Sequence, residues 1–508
     1  MTECRSEACL ASGINFIVVQ AGGRGARLGH LTANRPKALV PVENLPMLFH
    51  LFRRYPDKRF VVIADYKEDV MSEYLECFAD ARHLVVSAEG TGTCAGLRQA
   101  LELLPDGEPF MLVWSDLVLS EGFALPECAE NLIGIAGDFP CRWSYRDGVF
   151  AEERSAERGV AGLFVFRDKA EIAGVPESGE FVRWLAERGF VFREADLTGT
   201  REFGTLEDYA RLAPEKCRPF NRIASDGGTV TKTPADAQGG KLARLERRWY
   251  EAAAARGFAH IPRLYATEPL KMERINGGAV HEYADMPLEA KREILRKVAG
   301  ALKELHGLER VPADVFSLKE AYYGKTMARL RQVRDLIPLA DRKTITVNGR
   351  ECRNVYFYKR DLERRLDALR CESFAFIHGD CTFSNILLRG GAEPVLIDPR
   401  GYFGFTELHG DPMYDWAKLY YSVAGNYDRF NLKDFRLDIG ENGVTLAIGS
   451  NRWEALEADF WKFSGADPPA VRLLHAVIWL SLTTYAWQDY DSVCGAFYNG
   501  LYYLEEAL

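Results

Sequence analysis

The chemistry-bearing residues of this 508-residue chain fall into two clusters far apart in sequence. In the second half, Ile377-His378-Gly379-Asp380 leads to Asn385, and Asp398 follows in Val395-Leu396-Ile397-Asp398-Pro399. Moving a phosphoryl group from ATP to a hydroxyl needs a carboxylate to orient the hydroxyl and take its proton. It also needs carboxylate and amide oxygens to hold Mg²⁺ across the phosphates. An isolated His-Gly-Asp is ordinarily a loop, whereas this ordered Asp, Asn and Asp on a buried-strand pattern supplies all three groups. In the first half, Gln20-Ala21-Gly22-Gly23-Arg24-Gly25-Ala26-Arg27 follows an apolar run, and Pro36-Lys37 comes shortly after. Glycines let backbone N–H groups approach a polyphosphate, while Arg27 and Lys37 can neutralise the charge that builds as a phosphoryl bond breaks. A tight strand-to-helix turn explains the glycines alone, but not the second basic, proline-flanked segment.

These residues need elements to position them. Apolar runs at Phe16 to Val19, Phe60 to Ala64, His83 to Val86 and Phe110 to Trp114 alternate with helix-like stretches at Met47 to Arg54, Glu68 to Phe78 and Ala95 to Leu104. Such alternation predicts parallel pairing in a doubly wound α/β sheet, which binds ligands at the carboxyl ends of its strands. Between Arg201 and Lys241, prolines and glycines interrupt any long periodicity. The boundary is placed near Lys216, giving domains over 1–215 and 216–508. Beyond it the pattern predicts a strand at Val230 to Thr233 and helices at Leu242 to Arg256, Leu288 to Leu308 and Ala321 to Leu336. A buried strand at Val395 to Ile397 and an aromatic-rich helical end from Ala470 to Leu508 complete the reading.

The first 210 residues resemble the sugar-phosphate nucleotidyltransferases in five ordered places. These are the glycine-rich turn with Lys37, then Gly92-Thr93-Cys94-Ala95-Gly96-Leu97, Ser115-Asp116, Gly159 to Phe166, and Glu202-Phe203-Gly204-Thr205. The resemblance implies a Rossmann-like fold in which Gly22, Gly23, Gly25, Gly92 and Thr93 contact the nucleotide. It further implies that an acceptor phosphate oxygen attacks the α-phosphorus of a nucleoside triphosphate and pyrophosphate leaves, with Asp116 and Glu202 holding Mg²⁺. Glu202 stands where the family usually carries Asp. The Glu-Lys-Pro segment of sugar-specific members is replaced by Ala151-Glu152-Glu153-Arg154-Ser155, so Arg142, Arg146 or Arg154 is left to meet the acceptor phosphate, and a non-sugar phosphate such as phosphocholine is an alternative.

The stretch from Arg222 to Leu508 resembles the choline kinase and aminoglycoside phosphotransferase families, relatives of the protein kinases. That implies an α+β kinase-like fold with Asp380 as catalytic base, Asn385 and Asp398 as metal ligands and His378 as a structural support. It also implies Lys232 on the ATP phosphates, with Glu246 or Glu251 as its helix partner. Leu302-Lys303-Glu304-Leu305-His306 and Gly410 to Lys418 match family landmarks. Arg400 departs from the acidic or aromatic residue of many relatives. Trp479, Tyr485, Trp487, Tyr490 and Tyr498 are either helical core or a cage for a quaternary ammonium.

Composition is globular, with 47% hydrophobic and 27% charged residues, which excludes generic disorder. The net charge is −9 with scattered basic residues, so no nucleic-acid partner is expected. No apolar run predicts membrane insertion, Met1 to Gly13 has no signal-like apolar core, and eleven cysteines without a C-x-x-C pair read as reduced thiols of a cytoplasmic enzyme. A kinase makes a phosphomonoester and a nucleotidyltransferase consumes one. The joint expectation is a bifunctional enzyme using ATP, a second nucleoside triphosphate and Mg²⁺ to activate a small hydroxylated metabolite, as precursors of bacterial surface polysaccharide are activated. The alternatives are a choline or ethanolamine kinase joined to a cytidylyltransferase, and a non-catalytic nucleotide-binding scaffold. Metabolite, nucleobase and oligomeric state are not legible.

Overall fold

Phe16–Gln20, apolar until its last residue, forms an inner strand of a nine-stranded sheet. It pairs in parallel with Arg59–Ala64 on one side and Phe110–Trp114 on the other, and Arg59–Ala64 pairs in parallel with Arg82–Ser87. Strands covered on both faces need continuous apolar runs, and Ile17 to Val19, Val62 to Ile63 and Met111 to Val113 are buried accordingly. The helices Met47–Arg54, Glu68–Phe78 and Leu97–Glu102 lie between the strands in sequence. The third is shorter than the periodicity predicts, because Gly96 adopts a left-handed φ of 74° at its start. The computed structural model describes residues 13–126, 130–212, 221–234 and 237–507.

After Trp114 the doubly wound pattern gives way to a mixed sheet. Gly159–Phe166 runs antiparallel to both Phe110–Trp114 and Leu132–Ala136, and Arg193–Asp196 pairs in parallel with Leu132–Ala136. Both parts share one core, in which Val18, Ile63 and Leu112 join Phe164, Phe166 and Phe181. Two compact units result. One is Met1–Ala213 together with Gln488–Asp491, and the other is Pro214–Trp487 together with Ser492–Leu508. The boundary expected near Lys216 lies outside the described residues.

The second unit opens with a four-stranded antiparallel sheet of Asn221–Asp226, Thr229–Pro234, Leu270–Glu273 and Leu264–Thr267. The helix Ala237–Ala255 packs against it and buries Glu246, Trp249, Tyr250 and Ala253 at steps of three and four. Leu288–Gly307 likewise buries Ile294, Leu295, Val298, Leu302 and Leu305 on one face, each side chain contributing roughly 1.5–3 kcal/mol of transfer free energy. The helix predicted over 321–336 is a π-helical turn, Glu320–Gly324, running into Lys325–Gln332. Ile386–Arg389 and Glu393–Leu396 form a hairpin that ends just before Asp398. A sheet of Arg350–Arg353, Thr344–Val347, Gly443–Ile448 and Phe435–Gly440 was not foreseen. The helices Pro468–Leu482 and Tyr490–Ala507 make up most of the aromatic-rich end. Among the described residues, no helix is long and apolar enough to cross a membrane.

Candidate active sites

In the first unit the glycine turn leaves the carboxyl end of Phe16–Gln20. A Cβ at Gly22 would come within 2.9 Å of the Asp65 Cβ, and Gly25 takes a left-handed φ of 64°; Gly23 faces open space. Gln20 Nε2 donates to the carbonyls of Thr93 (2.9 Å) and Ala95 (3.1 Å), fastening the Gly92 segment to this turn. Gly92 has a φ of 83° and so close an approach to the Gly179 carbonyl that a Cβ would lie 2.3 Å from its oxygen. The Thr93 hydroxyl accepts from the Phe181 amide at 2.8 Å. The two glycine segments are therefore held together at one end of the sheet.

Asp116 follows the strand Phe110–Trp114, and the short pairing of Leu117–Val118 with Arg201–Glu202 brings Glu202 beside it. Lys37, buried on a short 3₁₀ turn, donates from Nζ to Asp116 Oδ2 at 2.5 Å, and Arg27 Nη2 lies 3.9 Å from Glu202 Oε1. Burial and the neighbouring Asp116 raise the Glu202 carboxyl above its ordinary range, against the opposing pull of Lys37 and Arg27. Asp116 Oδ1 is buried without a hydrogen-bond partner. An orphaned carboxylate oxygen beside a carboxylate that resists ionisation fits a divalent cation, since a cation would satisfy the first and lower the second. Among the described residues there is no cluster of three or more metal-ligating side chains. Two carboxylates suit Mg²⁺, which completes its shell with water and substrate oxygens. Of the basic residues considered for the acceptor phosphate, Arg142 is paired with Glu152 (2.5 Å) and Glu180 (3.2 Å), while Arg146 and Arg154 are exposed.

In the second unit, Lys232 on Thr229–Pro234 donates to Glu246 Oε1 at 2.7 Å and pairs closely with Asp398. Burial would lower the Lys232 ammonium, but the two carboxylates win and raise it. Glu251, exposed five residues further along the same helix, is not part of this triad. Asp398 has a left-handed φ of 56°, and its amide donates to the Tyr250 hydroxyl at 3.2 Å. Asn385 Nδ2 donates to the Asp380 carbonyl (2.8 Å) and to its Oδ2 (3.2 Å), and Lys418 Nζ lies 3.0 Å from Asp380 Oδ1.

The loop around Asp380 hangs on Asp415, which is fully buried on the helix Pro412–Val423. It accepts from the amides of His378 (2.8 Å) and Gly379 (2.7 Å) and from His306 Nε2 at 3.0 Å. Burial favours the neutral acid, yet these donors hold its carboxyl below the usual range. His378 is kept neutral by burial. Sequence reasoning marked the segments containing Asp415, Lys418 and His306 but gave these residues no role.

The five aromatics considered as an ammonium cage do not assemble into one. Trp479, Tyr490 and Tyr498 are fully buried; Trp479 packs on Tyr421 and Phe430, and Tyr498 donates to the Pro338 carbonyl at 2.7 Å. Tyr485 is exposed with the Arg329 guanidinium over its ring. Trp479, Tyr490 and Tyr498 take buried core positions, whereas Tyr485 is exposed and Trp487 half-buried.

Residues 17–139 match the MobA-like NTP transferase domain, and residues 220–442 match the phosphotransferase enzyme family. The chain is 32% identical over 114 residues to the mannose-1-phosphate guanylyltransferase catalytic subunit beta of Dictyostelium discoideum, covering 21% of this chain and 32% of that protein. It is 31% identical over 108 residues to the UTP–glucose-1-phosphate uridylyltransferase AglF of Haloferax volcanii, covering 20% of this chain and 44% of that one. The match thus spans less than half of either relative. Among solved structures, HddC from Yersinia pseudotuberculosis superposes with a TM-score of 0.34 at 17% identity, covering 39% of this chain and 98% of that one. The chain is a sugar-nucleotidyltransferase-like domain fused to a phosphotransferase-family, kinase-like domain, two catalytic domains on one polypeptide.

Proposed function

We propose that this protein acts in two consecutive steps: its second domain phosphorylates a hydroxylated metabolite, a sugar derivative, and its first couples the resulting phosphomonoester to a nucleoside monophosphate. The observation that supports this reading is that each unit gathers its own cluster of basic, carboxylate and amide side chains of the kind phosphoryl transfer uses. Lys37, Asp116 and Glu202 gather in one, and Lys232, Glu246, Asp398, Asp380 and Asn385 in the other. The division is taken near residue 215, the reaction is cytoplasmic, and its product suits the activation of surface-polysaccharide precursors.

In the kinase half, Asp380 orients the acceptor hydroxyl and takes its proton while Lys418 and Asn385 fix the carboxylate. Lys232, positioned by Glu246, steadies the ATP phosphates, and Asn385 and Asp398 would hold Mg²⁺. In the transferase half, Gly22, Gly23, Gly25, Gly92 and Thr93 seat the nucleoside triphosphate, while Arg27 and Lys37 offset negative charge at the α-phosphate and the leaving pyrophosphate. Asp116 and Glu202 would hold Mg²⁺ there, which supplies electrostatic stabilisation of that phosphate. The attacking phosphate oxygen is already anionic, so no general base is required. The test is to offer sugars, polyols and amino alcohols with ATP, then each phosphorylated product with all four nucleoside triphosphates. ADP release without any subsequent pyrophosphate release from those products would dismiss the coupled reading.

A further inference from the structure

The helix Pro412–Val423 brings Tyr414 as well as Lys418 toward Asp380. The Tyr414 hydroxyl accepts from Arg400 Nη1 at 3.4 Å, and Lys325 Nζ lies 5.7 Å from the centre of its ring. Arg329, one helical turn beyond Lys325, lies over Tyr485 at 6.0 Å and donates to the Ser481 carbonyl at 2.6 Å. Arg400 covers Tyr402 at 5.7 Å. All three cations are half-buried, and among the described residues none has a carboxylate within 4.0 Å. Against burial, Tyr414, Tyr402 and Asp380, the last already met by Lys418, hold the Arg400 guanidinium above its ordinary range, whereas burial lowers Lys325 and Arg329. Burial would raise the Tyr414 phenol, but Lys325, Arg400 and Lys418 bring it down to about 7, so the surplus positive charge is felt within the cluster. Burial, with Arg400, Arg329 and Lys418, brings the Lys325 ammonium down to about 8.

Of these half-buried cations Lys325 and Arg329 face no carboxylate among the described residues, and beside the group that receives the acceptor hydroxyl such charges are costly unless a ligand brings the missing charge. We propose that Lys325, Arg329 and Arg400 form a subsite for a negatively charged group on the acceptor, so that the kinase half phosphorylates an acidic hydroxylated metabolite, a sugar or polyol bearing a carboxylate or a phosphate. A quaternary ammonium or amino alcohol meets like charge here, and the faces of Tyr402 and Tyr485 are covered by guanidinium groups. The acceptor oxygen forms a bond to the γ-phosphorus, the bond from that phosphorus to the β,γ-bridging oxygen breaks, the hydroxyl proton passes to Asp380, and ADP leaves. The acceptor's anionic group lies across the basic residues unchanged.

This inference rests on the kinase reading of the second domain, and the experiment separates the two. ADP release by the full-length protein is measured with matched acceptors: glucuronate and glucose 6-phosphate against glucose, glycerate against glycerol, and choline and ethanolamine as cations. The acidic member of a pair is expected to have a kcat/KM at least tenfold above its neutral counterpart, and the carboxylate and phosphate arms identify which anion is preferred. Arg400→Gln and Lys325→Gln are each expected to raise the KM for the acidic acceptor about tenfold, with the ATP KM unchanged. Equal or better turnover of neutral or cationic acceptors overturns the anionic subsite while leaving the kinase intact. A matching rise in the ATP KM overturns it too, because the cluster then serves the nucleotide. If no acceptor raises ADP release above the Asp380→Asn background, the kinase reading fails, and calorimetric titration with inorganic sulfate decides the subsite. Binding weakened at least tenfold by Arg400→Gln upholds it, and unchanged binding refutes it.

Discussion

His378 Nε2 lies 3.0 Å from the carbonyl oxygen of Ile397, so the imidazole ties the loop carrying Asp380 to the residue before Asp398. A carbonyl only accepts, which places the proton on Nε2, and Nδ1 then accepts from the Asp380 amide at 3.2 Å. One neutral ring thereby fixes the separation of two acidic groups that lie eighteen residues apart. His378→Ala is expected to lower ADP formation at least tenfold while pyrophosphate release by the first domain is retained. Equal loss of both activities would show a global folding defect instead.

Asp380→Asn should reduce phosphorylation of the acceptor about a thousandfold, roughly 4 kcal/mol of transition-state stabilisation at about 1.4 kcal/mol per decade. Nucleotidyl transfer to a supplied phosphomonoester should be unaffected. Coupled ADP and pyrophosphate assays on the same preparation measure both. Near-normal ADP formation would remove Asp380 from the role of base.

Asp116→Ala is expected to do the converse, on the order of a thousandfold in pyrophosphate release, because it removes one of the two carboxylates proposed to hold Mg²⁺. A Mg²⁺ titration of the residual activity provides the check: wild-type turnover with wild-type metal dependence would reduce Asp116 to a structural residue.

Glu202 gives a prediction about pH. Its carboxyl is raised by burial and by Asp116, so the folded protein without metal retains that proton to higher pH than the unfolded chain does. The associated stability is complete below the unfolded value and is lost as pH rises through the raised folded value. At neutral pH in a metal chelator, Glu202→Gln should therefore melt higher than wild type. With Mg²⁺ and nucleoside triphosphate the order should reverse, because only the carboxylate gains from the cation. An unchanged melting temperature in chelator would contradict the strained carboxylate pair.

Gly92→Ala tests the nucleotide side. The new methyl would lie 2.3 Å from the Gly179 carbonyl oxygen in a left-handed backbone conformation, so the segment must shift. Strain of this kind costs about 1–3 kcal/mol. The nucleoside triphosphate KM should rise several-fold, with the acceptor kinase KM unchanged, as initial-rate measurements would show.

The legible parts were those whose partners lie close in sequence or on regular elements. Asp380, Asn385 and Asp398 sit within one loop and hairpin, and the four parallel strands announce themselves as apolar runs. The pair Lys232 and Glu246 was legible only as a choice. Glu246 and Glu251 differ by about 140° around the helix, at about 100° per residue, and the facing strand decides between them. Lys325, Arg329 and Arg400 were opaque as a group, because a π-helical turn sets the register of the first two and Arg400 comes from the far side of the domain's sequence. The mixed sheet was equally hidden. Gly159–Phe166 is buried along its whole length whichever direction it runs, so burial carries no record of polarity.

That change of strand direction has a consequence for how the first domain can diversify. Its glycine segments and Lys37 belong to the parallel half, whereas the hairpins and strands over 132–196 belong to the half that turns antiparallel at Phe110–Trp114. Asp116 stands on the seam, directly after the shared strand. Because the two halves share one core, and Gly92 and Thr93 lean on Gly179 and Phe181 of the later half, neither half can be exchanged without refitting the other across that seam.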